Sequence, residues 1–419
     1  MEFEAERHGR RTRQRTGDEA ATESTTGMES LPLELVFDIL SRLSITSLIQ
    51  FYSTCRAWRD LAQNPHLVSL LLDHYSERED PCIILHCDSP IRNQLFFWDS
   101  AAQGKERNRV WRIHPSYSDL MPDYTIVGSC NGLLCVYDSL YDDSLCIYNP
   151  FTSKKLDLPP SISYPDQEVI YGFGFHPKSQ EYKVIKMVYY RNSNKTTRVR
   201  RNIYRHSEVQ ILTVGNTSWR SIGKVPYGLI RRPSRALVHG RPHWVCRPCG
   251  YMPSRRIICF DFTCEEFQEV PIPETGGLNR CNFHLCVLGG CLSAAVYGNN
   301  GRIDIWVMKQ YNVKESWTRE YYIGNYIPKG LKESPDHRLF KIPKSGERAV
   351  KVLCLLKNGD VLLEYKNKAL AAYSAKHHKF KELALQGSPN WFSSTVHVGS
   401  LNWIQMADSQ EENQKELHH

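Results

Sequence analysis

Residues 31–61 read LPLELVFDILSRLSITSLIQFYSTCRAWRDL, and the chain that follows reads mostly as strands. The contrast sets the architecture. Pro32 sits at a first helical position, where a missing N–H leaves no bond unmade, and Glu34 places negative charge in the first turn. Leu35, Ile39 and Leu43 recur at spacings of four, with Val36 and Leu40 beside them, which predicts one apolar helical stripe. Ser44 and Thr46 break that pattern, Leu48 and Phe51 form a second apolar step, and Thr54 is read as the N-cap of a third helix carrying Trp58 and Leu61. So short a three-helix unit lacks the volume for a core of its own. Its surplus apolar surface therefore predicts a partner.

With 419 residues, 41% of them hydrophobic and 11% aromatic, the chain can bury a large core and is expected to hold two domains. No run approaches the roughly 18 apolar residues that a membrane span needs, and MEFEAERHGRRTRQRTGDEA at the start lacks the apolar segment of a secretory signal. A soluble protein without membrane contact is expected. Fourteen cysteines in a chain of this length read as buried thiols in a reducing compartment. Residues 1–29 are polar and read as a disordered tail; the cluster Arg7, Arg10, Arg11, Arg13 and Arg15 is blunted by Glu2, Glu4, Glu6, Asp18 and Glu19. Leu67, Leu70 and Leu71 in Pro65–Tyr75 predict a linker helix.

From Cys82 onward, short runs rich in Val, Ile, Tyr and Phe alternate with Asn, Gly, Pro and Asp turns. Five units recur, over 124–158, 169–222, 235–273, 283–323 and 350–385, at the spacing of propeller blades. Two orphan segments remain, Cys82–Trp98 and Thr395–Ile404. Together they would complete a sixth blade and close the ring without a long unpaired edge.

Leu31, Pro32, Glu34, Leu35, Ile39, Leu40, Leu43, Leu48, Cys55, Trp58 and Leu61 stand at the spacing of an F-box, and the stretch resembles that motif. Ser44 stands where the family usually has Pro and Thr54 where it often has Val, which would loosen the first turn and replace one apolar contact. CNGLLCVYD (130–138), IYNPFTSKKLDLP (147–159) and YGFGFHP (171–177) resemble the F-box-associated domain of plant receptors, related to kelch-type propellers. The resemblance implies an α+β multidomain protein: a three-helix F-box at 30–64, a helical linker at 65–80, a mainly antiparallel all-β propeller-like domain at 81–405 and a polar tail at 406–419. It further implies a non-catalytic substrate receptor of SCF (Skp, cullin, F-box) ubiquitin ligases, acting in nucleus or cytoplasm. Leu31, Pro32, Leu35, Ile39, Leu40, Leu43, Leu48, Cys55 and Trp58 would form or support the surface that docks on the Skp-type linker protein, which in turn binds a cullin. The other readings are a tethering module that works outside any ligase, and an enzyme on a ring fold, since fold does not fix function.

Residues 182–260 carry seventeen Lys and Arg against one acidic residue, Glu208, while the whole chain is only +8. Arg191, Arg198, Arg200, Arg201 and Arg205 fall in an apparent loop, and Arg231, Arg232 and Arg235 flank the next unit. Clustered guanidiniums suit an acidic or phosphorylated target protein, with nucleic acid the lesser candidate and a solvated surface the bland one. His243, Cys246 and Cys249 offer part of a zinc set, with Cys259, Cys264, His284, Cys286 and Cys291 nearby, but a second C-x2-C is missing. No metal or cofactor is expected. Neither a G-x-S-x-G elbow, a P-loop nor an H-E-x-x-H motif occurs, so the sequence gives catalysis no address.

Overall fold

Runs such as CIILHC (82–87) and LCIY (145–148) are buried at every position, so each needs cover on both faces. Stacked blades supply it. The computed structural model describes residues 31–78, 81–87, 94–113, 124–138, 144–190, 206–229, 236–246, 255–273, 278, 283–298, 301–332 and 350–404. The tails expected at 1–29 and 406–419 lie outside these residues.

Four helices come first: α1 (Leu33–Ser41), α2 (Ile45–Thr54), α3 (Arg56–Ala62) and α4 (Pro65–Arg78). Blade 1 takes β1 (Cys82–Cys87), β2 (Gln94–Asp99) and β3 (Val110–Ile113). Blade 2 is β4 (Tyr124–Cys130), β5 (Leu133–Asp138), β6 (Leu145–Tyr148) and β7 (Lys155–Asp157). Blade 3 is β8 (Glu168–His176), β9 (Glu181–Tyr190), β10 (His206–Thr213) and β11 (Arg220–Gly223). Blade 4 is β12 (Ala236–Val238), β13 (Arg241–Cys246), β14 (Arg256–Asp261) and β15 (Glu266–Val270). Blade 5 is β16 (Phe283–Leu288), β17 (Cys291–Tyr297), β18 (Ile303–Met308) and β19 (Trp317–Ile323). Blade 6 is β20 (Val350–Leu355), β21 (Val361–Tyr365), β22 (Ala369–Ser374) and β23 (Lys379–Glu382).

The last strand, β24 (Ser393–His397), returns to pair antiparallel with β1, Cys82 opposite His397, and completes blade 1 in the order β24-β1-β2-β3. All six sheets have four antiparallel strands, as the two orphan segments predicted. Strand β24 touches both β4 and β20, β4 touches β8, β8 meets blade 4 through β13, and β12, β16 and β20 follow in turn. The ring therefore closes around the first strands of the blades. Indoles lock some neighbours: Trp219 and Trp317, at the outer corners of blades 3 and 5, each donate Nε1–H at 2.8 Å to a proline carbonyl of the preceding connection, Pro159 and Pro271.

The helices do not stand apart. Val36, Phe37, Leu40, Ile45, Leu48, Ala62, Leu67 and Leu71 share one core with Ile84, Phe97, Leu134, Tyr148 and Phe151 of blades 1 and 2. Polar contacts fasten the same joint: Thr46 Oγ1 donates to Asp99 Oδ2 at 3.2 Å, and Lys154 Nζ donates to Gln63 Oε1 at 3.3 Å. Part of the surplus apolar surface is thus met by the propeller itself.

Three local readings change. Pro32, read as the first helical position, is the N-cap of α1, which begins at Leu33. Thr54 is the last residue of α2 and Cys55 the N-cap of α3, because the Thr54 hydroxyl donates back to Phe51 O at 2.7 Å instead of capping forward. Ser44, read as a loosening substitution, caps α2 by accepting from Ser47 N at 3.4 Å and bonds the Thr46 hydroxyl at 2.8 Å.

Two buried histidines make stability depend on pH. His243 accepts from the Tyr311 hydroxyl at Nε2 (2.8 Å) and contacts Ala236 O through Nδ1 (3.3 Å); burial pushes its pKa down to about 4. His397, 2.8 Å from the Ser129 hydroxyl, is pushed down to about 3, again by burial. An unfolded imidazole titrates near 6.5, so below that pH the unfolded chain binds more protons than the folded one, and stability falls as pH drops. Chemical denaturation between pH 7 and 4 should show a loss on the order of a few kcal/mol.

Candidate functional site

Helix α1 is apolar on two sides. Val36, Phe37 and Leu40 face inward, while Leu35 (52% exposed) and Ile39 (45%), one turn apart, form a second, exposed stripe; Leu33 (52%) is exposed at the first helical position and Leu31 (40%) just before the helix. A globular surface helix ordinarily shows one apolar stripe, so the second needs its own explanation. These four are nearly half of the large hydrophobic side chains exposed among the described residues. Beside them, Asp38 and Arg42 pair at 2.7 Å and mark the polar border. Cys55 is exposed at the α3 cap, Leu43 is half-buried, and Trp58, also half-buried, meets Phe51 edge-on with ring centres 5.0 Å apart.

The resemblance gives Leu40 and Leu48 as residues that form or support the linker-docking surface. Both are buried in the core shared with blades 1 and 2, so neither can touch a partner. They hold the exposed stripe from behind.

Residues 28–69 match the F-box-like family, and residues 102–404 match the family described as "F-box associated beta propeller domain". The chain belongs to the F-box-associated β-propeller family of F-box proteins. An F-box protein of Arabidopsis thaliana is 50% identical over 393 residues, which is 90% of this chain and 93% of that one. The F-box protein CPR1 of the same plant is 26% identical over 404 residues, 89% of each chain. An Arabidopsis F-box/kelch-repeat protein is 29% identical over 303 residues, covering 69% of this chain and 78% of its own.

The F-box helices seat on one end of the blades. Asp99 at the end of β2, Lys154 in the β6–β7 turn and Gly399 after β24 all meet them. Arg191, Arg198, Arg200, Arg201, Arg205, Arg231, Arg232 and Arg235, the residues singled out for anion binding, lie outside the described residues. The described residues that border these and the 247–254 segment are Tyr190 paired with His206, Leu229 bridged to Cys246, Ala236 paired with His243, and Arg256 paired with Cys246. In this antiparallel order they are the strand ends away from the F-box helices. Length and composition reveal the charge, but only the strand order says at which end of the blades these borders fall.

The residues weighed as metal ligands or nucleophiles are placed as follows. His243 is engaged with Tyr311 and Ala236, and His284 Nδ1 lies 2.7 Å from the Tyr297 hydroxyl. Cys246, Cys259 and Cys286 are buried, Cys264 is exposed, Cys291 is intermediate, and Cys249 lies outside the described residues. Among the described residues no group of three or more His, Cys, Asp or Glu could hold a metal ion. Burial pushes the Cys130, Cys146 and Cys286 thiols up to about 12, far from a reactive thiolate at neutral pH.

Proposed function

We propose that this F-box protein is the non-catalytic substrate-recognition subunit of an SCF-type ubiquitin ligase, docking on a Skp-type linker protein and through it on a cullin. The observation that carries the reading is the exposed apolar group Leu31, Leu33, Leu35 and Ile39 at the start and along one side of α1, which the protein's own propeller leaves uncovered while it buries Val36, Phe37 and Leu40. The propeller would hold a target protein near the charged ubiquitin carrier. Its contribution is proximity: a bimolecular encounter becomes a near-intramolecular one without any reacting group being supplied. A shared core between helices and blades favours this role, because a stiff joint keeps the distance between linker and target constant.

An acidic or phosphorylated target fits the excess of Lys and Arg in residues 182–260. Lys183, Arg220 and Arg241 of that stretch lie on the helix side, paired with Glu265 and Asp261, whereas the strand ends bordering 191–205, 230–235 and 247–254 lie away from the helices, which leaves linker and target free to bind together. Nucleus or cytoplasm, both reducing, suits the free thiols among the described residues.

Affinity purification of the full chain from plant extract, with and without proteasome inhibition, tests the reading by mass spectrometry. The linker protein and cullin should co-purify, and further proteins enriched under inhibition should be turned over through this receptor. Absence of the linker protein from every preparation would refute it.

A further inference from the structure

Residues 398–404 follow the strand that closes the ring, and they run between the F-box helices and three blades. Gly399 is pressed against the first residue of α2: a Cβ there would lie 2.7 Å from Ile45 Cβ, and Ile45 is fully buried. Ser400 closes on the β4–β5 turn, where a Cβ on Gly132 would meet its Cβ at 2.5 Å. Leu401 is fully buried in the core shared by the helices and blades 1 and 2.

Two side-chain amides, buried Asn149 and half-buried Asn402, then fix the backbone. Asn149 Nδ2 donates to Ser400 O at 3.0 Å and Asn402 O at 2.7 Å, while its Oδ1 accepts from Phe151 N and Thr152 N. Asn402 Nδ2 donates to Asn131 O at 2.9 Å in blade 2 and to the Tyr182 hydroxyl at 2.8 Å in blade 3. Trp403 and Ile404 finish against the apolar contact between those two blades.

We propose that residues 398–404 are a strap that makes the seating of the F-box conditional on propeller closure. The helices are encoded at the start of the chain and the strap near its end. Ile45 finds its fully packed site only after β24 has entered blade 1 and carried Gly399 and Leu401 into place. An open or truncated propeller would still display the apolar stripe of α1, but on helices free to swing. A receptor with an incomplete ring would then lose the fixed spacing that its complete form offers. This holds whatever the stripe binds, because the strap acts within one chain.

Hydrogen exchange on the full chain and three kinds of variant tests it, with α2 as the reporter and blade 5, remote from the strap, as the control. A chain ending at Val398 keeps β24 but loses the strap; its α2 amides should exchange at least about ten-fold faster while blade 5 keeps wild-type protection. Gly399→Ala should speed α2 in the same selective way by pushing against Ile45. Adding Gly399→Ala to Ile45→Gly, which removes the crowding Cβ along with its branches, should cost α2 nothing beyond Ile45→Gly alone. Unchanged α2 protection in the truncated chain and in Gly399→Ala overturns the proposal, and so does equal loss of protection in α2 and blade 5. If the truncated chain does not fold, the two point variants and their combination decide.

Discussion

Leu35→Asp is expected to abolish recovery of the linker protein while leaving the receptor folded, and Ile39→Asp should behave alike. Both side chains are about half exposed on α1, at 52% and 45%, so a carboxylate there meets water in the free protein. Surface substitutions of this kind usually change stability by within about 0.5 kcal/mol. In a complex, the same carboxylate would be buried against an apolar partner without a counter-charge. A loss of about 2–4 kcal/mol, characteristic of an interface hot spot, weakens Kd roughly thirty- to seven-hundred-fold. Titration of purified linker protein against each variant, with thermal unfolding measured in parallel, checks both halves of the expectation. Trp58→Asp would be a poorer probe. Trp58 packs on Phe51 beside the core shared with the propeller, so its loss would damage the helices as well as any contact. Wild-type affinity in both Leu35→Asp and Ile39→Asp would remove α1 from the docking surface.

The blades were legible because their signal is local. Runs such as CIILHC and LCIY, separated by turn residues, mark strands covered on both sides, and the pairing of Cys82–Cys87 with Ser393–His397 follows from the need to leave no open edge. The F-box residues were legible as a pattern of types at fixed spacing, but their directions were not. Periodicity predicts one apolar stripe, which the structure divides between buried Val36 and Leu40 and exposed Leu35 and Ile39; it does not say which residues meet another protein and which the same chain. Leu40 and Leu48 therefore stand in the sequence only as residues that form or support the surface, and Ile45, whose contact with Gly399 joins the two ends of the described chain, carries no such signal. Helix boundaries suffered a smaller version of the same ambiguity. Thr54 and Cys55 can each precede a helix, and the choice rests on where the Thr54 hydroxyl finds a carbonyl, which it does at Phe51. The charge of 182–260 is plain in composition, yet at which end of the blades the described strands bordering 191–205 and 230–235 meet depends on strand order and so could not be read from the residues alone.

A chain that stops after Phe392 should fail to fold cooperatively, the largest stability effect expected here. Its loss removes β24, the inner strand of blade 1 and its contact with blades 2 and 6 at once. Five register positions of β1, Cys82 to His86, lose their partners, and every residue of β1 is buried in the closed ring. An apolar strand with an open row of backbone N–H and C=O groups is a template for pairing between molecules. The damage extends to charge. Buried Glu364 accepts Ser394 N at 2.7 Å and pairs with Lys351 Nζ at 2.7 Å, so truncation removes one of the donors that compensate its desolvation. Ser129 loses His397, and with the strap gone Ile45 loses its cover as well. Single losses of this kind cost about 1–3 kcal/mol each, and a native domain has only about 5–15 kcal/mol in total. The expected readouts are aggregation on purification and the absence of a single sharp transition in denaturant, against one cooperative transition for the full chain. Supplying residues 393–404 as a separate peptide during refolding should restore part of the soluble yield, since the strand enters by pairing and needs no covalent connection to do so. A soluble monomer that unfolds cooperatively without β24 would mean that five blades and three strands hold the ring by themselves, and that closure by the C-terminal strand is not what stabilises this propeller.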